Sequence, residues 1–171
     1  MNEMIVGYEA AADRIEAEIG KPMGNVLDIG CNSGDGMMAL AARWPNTTVM
    51  GIEPDDTLGR LARDKGLAVW CASAEDISVG DGAIDLVFSR HSLEHVPDRN
   101  LAVQELWRVL RLGGHLYIQA PIEPGGSPNA LHVSPFLSCD ELRGRCMSLL
   151  GSREIYWGPQ ATVAEIIIKK E

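Results

Sequence analysis

His91 and His95 stand four residues apart in Ser89-Arg90-His91-Ser92-Leu93-Glu94-His95-Val96, just after the run Ile84-Asp85-Leu86-Val87-Phe88. Imidazole titrates near neutrality, so either ring can take a proton from an acceptor hydroxyl or amine. His95 is the expected base and His91 the second candidate, with hydrogen bonding to the loop as the plainer role for both. On one turn of helix His91, Glu94 and His95 would face the same side and, with His132, could ligate a divalent cation. The expectation nevertheless is that no metal is resident. A second kind of chemistry resides in Glu53, which follows the apolar segment Thr47-Thr48-Val49-Met50-Gly51-Ile52. A carboxylate at the tip of a strand accepts both hydroxyls of a ribose in paired geometry, which points to a nucleoside ligand without choosing one. Its bland alternative is a solvated turn. The third group is the loop Asp28-Ile29-Gly30-Cys31-Asn32-Ser33-Gly34, where Gly30 and Gly34 let backbone approach a ligand and Asn32 tolerates left-handed angles.

These groups need elements to carry them. Val26-Leu27-Asp28-Ile29 reads as a buried parallel strand. Ahead of it, Tyr8, Ala12, Ile15 and Ile19 recur at helical spacing up to Gly20 and Pro22, so residues 1–24 form an N-terminal helical segment. Met37, Leu40, Ala41 and Trp44 make one face of a helix that stops before Pro45. Strands are then expected at 47–52, 67–71, 83–89 and 115–120, with helices at 57–65 and 101–110 between them. Residues 121–137, rich in Pro and Gly, form a loop too long for an idle connection and are read as a substrate cover. Ser138 and Glu141 form a capping box that opens a helix with Leu142, Cys146 and Leu149 inward, running to Gly151. Strands at 153–157 and 162–168, joined by a short return through Gly158-Pro159, make an antiparallel pair. The alternation of strands and helices gives an α/β fold in one domain spanning residues 1–171.

The pattern Asp28-x-Gly30-x-x-x-Gly34 at the end of a first strand resembles motif I of the class I S-adenosylmethionine-dependent methyltransferases. Further along, Ser73-Ala74-Glu75-Asp76-Ile77 is similar to that family's adenine-contact segment, with Ser73 where Asp is frequent. The run Glu105-Leu106-Trp107-Arg108-Val109-Leu110-Arg111-Leu112-Gly113-Gly114 resembles its Glu-Leu-x-Arg-Val-Leu-Lys-Pro-Gly-Gly, with Leu112 replacing proline. The resemblance implies a Rossmann-like doubly wound, mostly parallel seven-stranded sheet with an antiparallel last strand, and S-adenosylmethionine as cofactor. It implies that Asp28, Gly30, Asn32 and Gly34 carry the methionine end, that Glu53 holds the ribose, and that Ser73, Ala74, Glu75 and Asp76 serve the adenine. A helix-capping role stays open for Ser73. Arg90, at the end of strand four, is counted with the cofactor contacts. His91 and His95, with His132 and Phe136 of the cover loop, are the substrate residues. The family's Asn/Asp-Pro-Pro-Tyr/Phe motif is absent after strand four, which favours methyl transfer to an oxygen or nitrogen of a small-molecule or glycan-like acceptor.

Two other readings remain. A nicotinamide-binding loop wants Gly-x-Gly-x-x-Gly, a different spacing. A non-catalytic domain that binds S-adenosylmethionine or S-adenosylhomocysteine, or a partner-dependent subunit, is motivated by the short N-terminal segment and by Asn32, Ser73 and Leu112. A formal net charge of -9 over 171 residues argues against nucleic acid as a partner. Cys31, Cys71, Cys139 and Cys146 show no C-x-x-C pairing and read as reduced thiols. Met1-Asn2-Glu3 begins neither a leader nor a membrane span, so a cytoplasmic protein is expected, with a homodimer as the assembly open to it.

Overall fold

Val26, Leu27 and Ile29 point alternately to the two faces of their strand, and all three are buried, as a central parallel strand requires. In the computed structural model, which describes residues 3–127, 129–149, 151–160 and 162–171, this strand, β1 (Gly24–Ile29), lies between β2 (Thr47–Ile52) and β4 (Ile84–Arg90). The sheet has seven strands in the order β3-β2-β1-β4-β5-β7-β6, with β3 at Ala68–Trp70, β5 at Leu110–Pro121, β6 at Ser152–Pro159 and β7 at Val163–Lys170. Only β7 runs against its neighbours, pairing antiparallel with both β5 and β6. This is the Rossmann-like doubly wound sheet with an antiparallel last strand that the sequence led us to expect.

Alternation along the strands builds two cores. On one face Val26, Leu86, Phe88, Tyr117 and Ile167 meet α1 (Glu3–Ile19) and α2 (Asp35–Arg43) through Tyr8, Ala12, Ile15 and Leu40. Tyr8, Phe88 and Tyr117 stack there with ring centroids 5.1 Å apart at each step. On the other face Leu27, Ile29, Val87, Leu116, Ile118, Ile166 and Ile168 pack with Leu106 and Val109 of α4 (Arg99–Val109) and Leu142 and Cys146 of α5 (Cys139–Met147). The remaining helix, α3 (Asp56–Asp64), buries Ala62 with Cys31, Met37 and Val69. Fully burying one such aliphatic side chain contributes about 1.5–3 kcal/mol, so the sheet edge that carries the loops rests on a stiff base.

Element ends follow their caps. Asp55 accepts the Thr57 and Leu58 amides, and Asp98 those of Asn100 and Leu101, so α3 and α4 begin earlier than apolar spacing alone suggested. Ser138 accepts the Glu141 amide as expected, but α5 ends at Met147 and does not run to Gly151. The Gly113-Gly114 pair does not end a helix. The chain enters β5 at Leu110, and Gly113, at φ 75°, lies within that strand where its register with β4 shifts between Ile84 and Leu86. It acts as a bulge glycine. Among the described residues no helix is long and apolar enough to cross a membrane.

Candidate functional site

The strand order reverses at β1 and β4, and open parallel sheets hold ligands at such a switch, beyond the carboxyl ends of the strands. There the chain leaves β1 through Gly30 at φ 70°, Asn32 at φ 53° and Gly34 at φ 83°, which opens α2. The left-handed angles expected of this loop are present. A Cβ at Gly30 would come 2.9 Å from the Ser92 hydroxyl, which donates to the carbonyls of Ile29 and Arg90 and so ties the ends of β1 and β4 together. Gly30 therefore serves a close approach between two loops as well as the turn.

Glu53 extends from the end of β2 and is only 7% exposed. Its two carboxylate oxygens accept the Asn32 amide at 2.9 Å and the Asp55 amide at 3.0 Å. Burial and these bonds overturn the alternative of a solvated turn carboxylate. Each oxygen keeps a lone pair for a further donor, as a ribose diol would supply. Glu53, Gly30 and Asn32 line a cavity of about 570 Å³ together with Ile52, Pro54, Leu58, Ala72, Ser73, Ala74, His91, His95 and Leu131. Its lining thus combines one carboxylate, apolar side chains and two imidazoles. That combination, with a backbone loop hydrogen-bonded to Glu53 through the Asn32 amide, suits the hydroxyls, base and amino-acid tail of S-adenosylmethionine.

The remaining expected cofactor residues fall into different places. Gly34 holds the start of α2 rather than the cavity wall, where a Cβ would collide with Leu67. Asp28 is fully buried beneath the loop, accepting the Tyr8 hydroxyl at 2.9 Å, and its other oxygen, Oδ1, has no partner among the described residues. Burial pushes its carboxyl up to about 8 against the pull of the Tyr8 hydrogen bond, with the charge of Glu53 adding to the rise. Ser73 caps no helix; its hydroxyl accepts the Glu75 amide and donates to the Glu75 carboxylate. Glu75 in turn accepts the Asp98 amide at 2.6 Å, and Asp76 is exposed, so both carboxylates sit outside the cavity lining. Arg90 also lies outside it: its guanidinium packs against α1, 5.9 Å from the Tyr8 ring centre, where a Cβ on Gly7 would collide with it.

Of the expected substrate residues, His91 takes φ 50° and lines the cavity with its side chain 34% exposed. His95 closes a one-turn 3-10 helix (Leu93–His95), and its Nδ1 lies 2.9 Å from the Leu131 carbonyl of the cover loop. An Nδ1–H donated there leaves Nε2 with the lone pair. His132 lies behind this pair, with Nδ1 2.9 Å from Glu123 Oε2, and is not part of the lining. Phe136 departs from expectation. It is fully buried in the core, bridged through Ile122 to the base of the loop, with the Arg99 guanidinium 4.4 Å from its ring centre. Near its C-terminal end the 121–137 loop is tied to the turn after β4, since Ser134 donates its amide to the Glu94 carbonyl and its hydroxyl to the Val96 carbonyl. Sequence reasoning passed over Leu58, Val96, Pro97, Ser92 and Leu131. A signal existed for Leu58 alone, in its place one turn beyond the Glu53-Pro54-Asp55 tip.

The profile of a family described as "Methyltransferase domain" matches residues 27–118. Trans-aconitate 2-methyltransferase of Deinococcus radiodurans is 33% identical over 101 residues, covering 59% of this chain and 39% of that protein. Sarcosine/dimethylglycine N-methyltransferase of Halorhodospira halochloris is 31% identical over 123 residues, covering 68% of this chain and 44% of that protein. The chain thus spans less than half the length of these relatives. Among solved structures, the putative methyltransferase of Haloferax volcanii, seen in complex with the Trm112 methyltransferase activator, superposes with a TM-score of 0.80 at 17% identity, covering 98% of this chain and 92% of that one. With more than half of its length matched by the family profile, and the loop and Glu53 arranged as described, the chain belongs to the class I S-adenosylmethionine-dependent methyltransferases, and its cofactor is S-adenosylmethionine.

Proposed function

We propose that this chain transfers the methyl group of S-adenosylmethionine to an oxygen or nitrogen atom of a small-molecule or glycan-like acceptor. The observation that carries this reading is a single cavity lined by Glu53, His91 and His95 together. When bound, the cofactor supplies a methyl group activated on a sulfonium. The protein's part is mainly positioning, which can lower a barrier by roughly 7–11 kcal/mol when the reacting atoms are well oriented. Glu53 holds the ribose hydroxyls, Pro54, Leu58 and Ala74 pack on the base, and the 30–34 loop receives the methionine end. At the acceptor end, His95 takes the proton of the incoming hydroxyl or ammonium on Nε2, its ring oriented by the Leu131 carbonyl, and His91 is the second base. Residues 121–137 cover the acceptor, with Leu131 at the wall of the cavity. Four free thiols agree with a reducing, cytoplasmic setting.

A second reading, a subunit that works only with a partner, is favoured by the exposed side chains of Leu131, Val133 and Leu137 along the cover loop. Release of S-adenosylhomocysteine, followed with a panel of hydroxy, carboxylic and amine acceptors, tests both. Turnover on any acceptor by the chain alone supports the first. Tight product binding with no turnover on the whole panel would shift the account to the partner-dependent or binding-module reading.

A further inference from the structure

Beside the imidazole end of the cavity, Glu94 is buried to 1% exposure on the one-turn helix that carries His95. Its Oε1 lies 3.5 Å from His91 Nδ1, and its Oε2 has no partner among the described residues. A buried carboxylate oxygen with nothing to accept is costly unless something cationic meets it. The rings of His95 and His132 stand edge to face next to it, with centroids 4.9 Å apart. One donor atom from each of Glu94, His95 and His132 lies within 4.8 Å of the other two. The sequence offered His91, Glu94 and His95, with His132, as such a group; the fold brings the last three together and leaves His91 outside it.

Both imidazoles are held from behind. His95 Nδ1 faces the Leu131 carbonyl at 2.9 Å, and His132 Nδ1 faces both oxygens of Glu123, at 2.9 and 3.1 Å, with the Ser127 hydroxyl at 3.0 Å. Carbonyl and carboxylate acceptors on the far nitrogen are how metal-binding histidines are fixed in tautomer and orientation, leaving Nε2 to the ion. Two neutral imidazoles and one carboxylate suit a first-row transition ion better than magnesium or calcium, which prefer oxygen throughout. Two histidines and a glutamate also leave a position open for a further ligand, the pattern of catalytic sites.

We propose that Glu94, His95 and His132 bind one divalent transition-metal ion, with its open position toward the acceptor end of the cavity. Donors about 2.0–2.2 Å from a common ion must draw closer than they stand here, and exposed His95 and the loop that carries His132 supply that freedom. Binding therefore fastens the cover loop to the turn after β4. The role of the ion rests on the methyl-transfer reading, whereas its binding does not. When bound, the ion would supply Lewis-acid polarisation of an acceptor hydroxyl, and His95 Nε2 would then serve as its ligand instead of as the base.

The test is titration of the chelator-stripped full chain with Co²⁺, followed by visible absorption and by competition with Zn²⁺. One equivalent should bind with the visible bands of a nitrogen-and-oxygen-ligated cobalt centre. His132→Ala, in a surface loop, and Glu94→Gln should each weaken binding at least tenfold, and Glu123→Ala by roughly 10–100-fold, with thermal melts confirming that each variant is folded. No saturable binding, or equal affinity in His132→Ala and Glu94→Gln, would overturn the site. Preference for Mg²⁺ over Co²⁺ would overturn its assignment to a transition ion. S-adenosylmethionine titrated into the same samples separates the two claims: cofactor binding without metal leaves the methyltransferase and removes the ion, and the converse leaves the ion and removes the methyltransferase.

Discussion

Glu53 was legible at the level of the single residue because its chemistry and its place at a strand tip coincide, and the structure adds that both its oxygens also hold the neighbouring loops. Charge-assisted hydrogen bonds contribute about 1.5–3 kcal/mol each, so Glu53→Ala should weaken S-adenosylmethionine binding by roughly 10–150-fold while the fold persists. Calorimetry on the purified variant checks this, and unchanged affinity would remove Glu53 from the site. His95→Ala should lower turnover by about a hundredfold or more with cofactor affinity nearly unchanged, as loss of an acid–base group does. Full activity would make His95 a loop-holding residue. Asp28 was not legible in this way. The sequence placed it beside the ligand, but the Tyr8 hydroxyl from a helix 20 residues earlier draws it inward, and burial raises its carboxyl to about 8. The folded state therefore holds a proton that the unfolded chain releases near pH 4, and stability falls as pH rises from about 4 to 8. Asp28→Asn should flatten that fall in melts taken across the window; an unaltered slope would show that Asp28 does not titrate there.

At the level of elements, β2 was expected at 47–52 and spans Thr47–Ile52, because an apolar run between Pro45 and Pro54 leaves little choice. Phe136 shows what spacing cannot convey. It belongs to a Pro/Gly-rich segment that reads as exposed loop, yet the Ile122–Phe136 bridge folds the base of that loop onto the sheet and buries the ring. Long-range pairing of this kind has no local signature. Phe136→Ala should destabilise the protein by about 3–5 kcal/mol, the usual range for deleting a buried aromatic ring, with cofactor affinity unchanged once folded. Denaturant unfolding reads the first and calorimetry the second; a stable variant with altered acceptor preference would restore the ring to the substrate site. The Gly113-Gly114 pair makes a similar point. Its glycines were recognised, but whether they end a helix or form a bulge depends on β4 lying alongside.

For the whole molecule, alternation of apolar strands and amphipathic helices specified the architecture, since few topologies place that order of elements around one sheet. Of the residues expected at the carboxyl edge, Gly30, Asn32 and Glu53 line the cavity, where residue type and position agreed, whereas Arg90 and Glu75 are drawn out of its lining by Tyr8 and the Asp98 amide, partners on distant elements. Ligand binding should register globally: at a hundred times its Kd, S-adenosylmethionine should add about 2.7 kcal/mol and raise the melting temperature by roughly 5–10 °C. The most direct test of the account is calorimetric titration of the full chain with S-adenosylmethionine, S-adenosylhomocysteine and NAD. Saturable one-to-one binding of the first two, none of NAD, and weakening of both by roughly 10–150-fold in Glu53→Ala is the predicted result. No heat with S-adenosylmethionine, or binding of NAD at the same cavity, would contradict it.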